Sequence, residues 1–297
     1  MVRAPRALIV ALLAASALVG CGGDPPPAAP SAADPARLIA EHVAALKPDG
    51  RYRPPRPDER EVAGDAVGLL LAGRADKGAE QLARLGMPSA HGTDPATGRA
   101  FTVYASDPRT DRAWGLLLVD TSAPARWVVE VPHPAYDLRT EDIGLDLFRA
   151  VPGTVLLVAG AHRQAGGGAA DVAHHEDTVF HALAGEYARH GLAQLQLHGF
   201  ADKNLRGTEA VISTGQVSPG PGPLRVADQL GAAGFAVCRA WQERCGQLEG
   251  MSNVQSATAV EHGAVFVHLE TSWSTRSDPA RRSALARALV AADLPSP

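Results

Sequence analysis

Beyond residue 35 the apolar positions first recur at helical spacing. Leu38, Ile39, His42, Val43 and Leu46 share one face of 36–46; Val62, Ala66, Leu69 and Leu70 do the same in 58–72. A third such segment, 77–85, stops at Gly86. From Gly98 the period falls to two. Residues 100–106 and 113–120 read as strands joined by Asp107-Pro108-Arg109-Thr110-Asp111, a hairpin connection. The β-branched run Trp127–Val131 is the next strand, closed by Pro132-His133-Pro134. Helices at 141–150, 177–190, 224–233 and 279–291 then alternate with strands at 154–159, 193–197, 211–213 and 264–269. Asp177 or Thr178 supplies an N-cap and Gly191 a stop, while 166–170 and 219–223 read as loops. The alternation predicts an α/β fold with a mostly parallel sheet and helices on both faces. Residues 127–297 form its core, and 36–126 form an N-terminal extension of helices and a hairpin packed on it.

The first 35 residues stand apart. Arg3 and Arg6 precede an apolar run, Leu8 to Val19, too short for an ordinary transmembrane helix. The segment 1–20 and the following Cys21-Gly22-Gly23 resemble a bacterial lipoprotein signal with its lipobox. That resemblance implies cleavage before Cys21, lipidation of its thiol, and an exported protein anchored to the membrane of the cell envelope. Residues 21–35 are Pro/Ala-rich and read as a tether. What remains, about 260 residues, is enough for one large or two small domains. The net charge is −4, lysine occurs only at 47, 77 and 203, and no basic run is interleaved with aromatics. Nucleic acid is therefore not an expected partner. In an exported chain, Cys238 and Cys245 read as a disulfide pair.

Chemistry-bearing residues gather where strands end. His133 follows the Trp127 strand, His198 the Ala193 strand and Glu270 the Ala264 strand, while 154–161 leads to His162-Arg163. In open α/β sheets that edge binds ligands. Two histidines and a carboxylate, with a position left for water, form a hydrolytic zinc site. Asp137, four residues after His133, is the preferred third ligand; Glu141 is the alternative, and its place in a first helical turn also suits the helix dipole. His174 and His175 could line the cleft, donate to substrate or hydrogen-bond a metal ligand from behind, and a structural or solvent role is the equal alternative. Asn253 and Gln255 could orient substrate, and Arg276 either binds a carboxylate or lies on the surface. No Gly-x-Ser-x-Gly elbow is present, and the glycines at 166–168 lack the lysine of a phosphate-binding loop.

The order His133–acid, Arg163, His198-Gly199-Phe200, then Phe266-Val267-His268-Leu269-Glu270 resembles the zinc carboxypeptidase clan. The Pro-His-x-x-x-acid-x-x-Thr form, with Asp137 and Thr140, looks closest to its N-formylglutamate amidohydrolase and poly-γ-glutamate hydrolase branches. The resemblance implies Zn²⁺ held by His133, Asp137 and His198, with Glu270 as general base. It gives Arg163 the substrate carbonyl or a substrate carboxylate to hold. The implied reaction is amide or peptide hydrolysis on a peptide-like or N-acyl amino acid substrate, including cell-wall or γ-glutamyl material. The carboxypeptidase His-x-x-Glu spacing is absent, as is the glycine-rich loop after the histidine, which leaves the substrate and third ligand open. A surface lipoprotein using the same fold as a binding or scaffold module is the rival reading. Such a binder has no need of a general base at 270.

Overall fold

The computed structural model describes Met1, residues 34–215 and residues 217–295; the rest of the signal, Cys21 and nearly all of the tether lie outside them. Three helices come first: α1 (Pro35–Ala45), α2 (Pro57–Leu71) and α3 (Ala75–Arg84). Three antiparallel strands follow, β1 (Ser89–Thr93), β2 (Ala100–Ala105) and β3 (Gly115–Asp120). The remainder runs β4 (Trp127–Val131), α4 (Thr140–Ala150), β5 (Thr154–Ala159), α5 (Val179–Arg189), β6 (Ala193–Phe200) and β7 (Ala210–Ser213). It closes with α6 (Pro221–Ala232), β8 (Val237–Arg239), α7 (Val254–Glu261), β9 (Phe266–Ser272), α8 (Trp273–Ser277) and α9 (Pro279–Ala291). Pro221 opens α6 inside a stretch whose sequence reads as loop. A proline in the first helical turn loses no hydrogen bond, because its missing N–H had no partner there.

All the strands join one sheet in the order β1-β2-β3-β5-β4-β6-β9-β7-β8. Its centre, β5-β4-β6-β9, is parallel, whereas β3 pairs antiparallel with β5 on one side and β7 antiparallel with β9 on the other. The central strands obey the sequence pattern because both faces are covered. Val129, Val131, Leu195, Leu197, Val267 and Leu269 pack with α1, α4, α6 and α9. Val128, Val155 and Leu157 face α2, α3 and α5. From β4 the chain steps outward to β5 through α4; it then returns past β4 to β6 through α5. These opposite steps put their helices on opposite faces and open a crevice between the C-terminal ends of β4 and β6. His133 and His198 stand at that crevice.

On the α5/α7 face, β6 departs from an apolar strand. Gln194, Gln196 and His198 alternate with Leu195 and Leu197, so the polar residues share one side of the strand. Glu130 of β4 lies opposite Gln196, and His268 of β9 lies opposite Gln196 on the other flank. The sheet thus carries a buried polar wedge behind the edge where His133 and His198 stand.

Candidate metal centre

The residues after β4 fold back on His133. Its carbonyl accepts from the N–H groups of Tyr136 (3.1 Å) and Asp137 (2.9 Å), and Ala135 takes a left-handed φ of 63° to make the turn. Thr140 then donates through Oγ1 to the Asp137 carbonyl at 2.8 Å and starts α4. The turn brings Asp137 back to the imidazole four residues earlier. From β6, His198 reaches the same carboxylate.

The geometry is convergent. Asp137 Oδ2 lies 3.2 Å from His133 Nδ1 and 3.4 Å from His198 Nδ1. The far side of each ring is engaged elsewhere: His133 Nε2 with Asp171 Oδ1 at 2.8 Å and His198 Nε2 with Gln196 Oε1 at 2.6 Å. Each imidazole therefore has an acceptor behind Nε2 and can present its Nδ1 lone pair forward, the arrangement that orients metal-binding histidines. His133, Asp137 and His198 offer ligand atoms within 4.8 Å of one another, all buried. Two nitrogens and one carboxylate oxygen form a donor set that fits zinc. His133 with Asp171 and His174, and His198 with His268 and Glu270, make further groups of the same kind.

Burial and charge set the protonation. Burial would raise the Asp137 carboxyl, but its contacts with His133 and His198 hold it well below the usual carboxylate range. Burial likewise opposes ionisation of Asp171, and bonds with His133 and His174 override it. Burial depresses His198 to about 4, leaving a neutral ring. For His133, burial pulls the pKa down, and hydrogen bonds with Asp137 and Asp171 more than reverse it. Glu270 is pushed well up, first by burial and then by the negative Asp137. Its Oε2 and the Nδ1 of His268 are buried without a hydrogen-bond partner.

A cavity of about 740 Å³ is lined by His133, Arg163, His198, Glu270, Trp273 and Arg276 among others; Glu141, His175 and Gln255 are not part of its lining. Arg163 lines it but commits Nε and Nη2 to Asp171, with its guanidinium 5.0 Å from the Tyr136 ring centroid. Glu141 is outside all three ligand groups among the described residues; burial raises its carboxyl, and its Oε2 has no partner. His174 bonds Asp171 through Nδ1 at 3.0 Å, and His175 is exposed. Arg276 is no surface residue. It is 4 % exposed, with Nε donating to the Leu138 carbonyl at 2.8 Å and Nη1 to the carbonyls of Phe200 and Thr271. Asn253, which also lines the cavity, and Gln255 bond Gln196 in the buried polar wedge. Sequence reasoning assigned no role to Gln196 or to Asp171 itself. For Gln196 a signal existed, a glutamine alternating with leucines in a strand buried on both faces. For Asp171 there was none, because a loop far along the chain brings it to His133. Cys238 and Cys245 form the expected disulfide.

No protein-family model matches the sequence, and no curated protein does. Among solved structures, the chain is similar to a bacteriophage poly-γ-glutamate hydrolase, with 13% identity over 61% of this chain and 88% of that one and a TM-score of 0.42. It is also similar to a metallo-carboxypeptidase from Burkholderia cenocepacia (12% identity, 73% and 67% covered, TM-score 0.37). An aspartoacylase family protein from Mesorhizobium loti is a third (12% identity, 71% and 68% covered, TM-score 0.41).

Proposed function

We propose that this chain is a zinc-dependent hydrolase of amide or peptide bonds, working outside the cytoplasm and held at the cell-envelope membrane through a lipidated Cys21. One observation carries the hydrolase reading. The Nδ1 atoms of His133 and His198 converge on one Asp137 oxygen, while both Nε2 atoms have acceptors behind them. His133, Asp137 and His198 would hold the ion. When bound, zinc supplies Lewis acidity toward the scissile carbonyl and lowers the pKa of an attacking water. Glu270, buried and raised in pKa at the same cavity, takes the proton of that water and delivers it to the leaving nitrogen. Asp171 holds His133 from behind, and Arg163 in turn holds Asp171. Exposed Tyr136, Leu138 and Trp273 form an apolar rim to the polar cavity. Such a mouth suits a peptide-like or N-acyl amino acid substrate, with cell-wall and γ-glutamyl material in that class.

Elemental analysis of the purified protein tests the centre. Stoichiometric zinc, lost in His133→Ala and in His198→Ala, is the expected result. Glu270→Gln should keep the zinc and abolish turnover of peptide and N-acyl amino acid substrates. A folded wild type that takes up no metal would sink the hydrolase reading.

A further inference from the structure

A neutral imidazole has one ring proton and two places to put it. At His198 the competing acceptors are Asp137 Oδ2, 3.4 Å from Nδ1, and Gln196 Oε1, 2.6 Å from Nε2. A proton on Nδ1 would occupy the lone pair that faces Asp137 and block the ring as a ligand. Which acceptor prevails therefore decides whether the centre is ready for a metal.

The Gln196 amide is fully buried and bonded on every side. Its Nε2 donates to Glu130 Oε2 (2.8 Å) and Gln255 Oε1 (3.2 Å); its Oε1 accepts from His198 Nε2 and from Asn253 Nδ2. An amide can be turned over in place, so its sense must come from partners that cannot. Two backbone groups fix it. The Ser256 N–H, which can only donate, bonds Asn253 Oδ1 at 2.9 Å as part of the α7 N-cap, and so turns Asn253 Nδ2 toward Gln196. The Val172 carbonyl, which can only accept, takes Gln255 Nε2 at 2.8 Å, and so turns Gln255 Oε1 toward Gln196. Each alone requires the oxygen of Gln196 on the His198 side and its nitrogen on the Glu130 side. With an oxygen facing it, His198 Nε2 has to donate. Reversing any one amide would set oxygen against oxygen in a buried site, at the full cost of unpaired buried groups.

We infer that Gln196 is a positioning residue for His198, its amide oriented by Asn253 at the α7 N-cap and by Gln255, so that His198 is held as the Nε2–H tautomer with Nδ1 free to bind metal. This deepens the metal-centre reading and rests on it for its purpose, though the tautomer itself exists without metal.

Two measurements test it: the protonated nitrogen of His198 in metal-free protein, from long-range ¹⁵N–¹H spectra, and zinc affinity by chelator competition. Wild type should show Nε2–H. Asn253→Asp keeps an oxygen for the Ser256 N–H but places a second oxygen against Gln196 Oε1. It should move His198 toward Nδ1–H and weaken zinc by about 10–100-fold. Gln196→Leu, which removes the acceptor, should do the same, and Gln196→Glu, which retains one, should keep the Nε2–H form. An Nδ1–H ring in the metal-free wild type would overturn the inference. So would an unchanged tautomer and unchanged zinc affinity in Asn253→Asp or, should that variant not fold, in Gln196→Leu. A wild type that shows Nε2–H yet binds no zinc supports the tautomer and overturns the hydrolase reading instead.

Discussion

The Arg276 guanidinium stands where a side chain on Gly199 would begin: a Cβ built on Gly199 falls 2.2 Å from Arg276 Cζ. Gly199 directly follows His198, so the absence of a side chain there lets an arginine from α8 reach under the site. Its bonds to Leu138, Phe200 and Thr271 tie the turn after Asp137 to the ends of β6 and β9. Gly199→Ala should dislodge the guanidinium and leave a buried charge badly paired, at a cost of about 3 kcal/mol in denaturant unfolding. The same substitution made on Arg276→Ala should cost much less, because the clash is gone. Additive losses in that double-mutant cycle would refute the coupling.

The edge of the sheet was legible in the sequence for a physical reason. Parallel strands buried on both faces leave apolar runs with clear ends, and parallel ends share one edge, so His133, His198 and Glu270 could be grouped from their positions alone. Elements that owe their form to neighbours were not. Ser89–Thr93 has no apolar alternation and becomes β1 by pairing with β2. In α7 the inward face includes Gln255 and Ser256, and a polar buried face hides a helix from a hydrophobic period. The candidate ligands stand out in the sequence, but the partners behind them, Asp171 and Gln196, could not be assigned, because those contacts cross 38 residues from Asp171 to His133 and depend on which face a glutamine takes.

The disulfide offers a separation of stability from chemistry. Cys238 and Cys245 close a short loop and pack with Phe200 and Val211, beside the segment that forms one cavity wall. Replacing both with alanine should lower unfolding stability by about 2 kcal/mol through the freed unfolded chain. Zinc content should not change, since every proposed ligand belongs to β4, the turn after it, or β6. Loss of zinc in a folded double variant would show that the loop helps to hold the centre.

Glu130 gives the protein a pH signature at a residue outside the ligand set. It is wholly buried in β4, and burial raises its carboxyl from 4.5 to about 7 against the opposing bond from Gln196. Between those two values the native state keeps a proton that the unfolded chain has released, so this carboxyl makes stability fall as pH rises. The advantage it gives the native state is complete below pH 4.5 and is lost through about pH 7. The whole change is worth about 3 kcal/mol. Glu130→Gln cannot ionise and still offers an oxygen to Gln196 Nε2. Measured on metal-free protein by denaturant unfolding, the variant should gain on wild type by that amount between about pH 4 and pH 8. The depressed carboxyls of Asp137 and Asp171 push the other way, adding stability that is lost on acidification, but they are common to both proteins and cancel in the difference. Parallel stability curves would mean that Glu130 titrates near its ordinary value despite its burial.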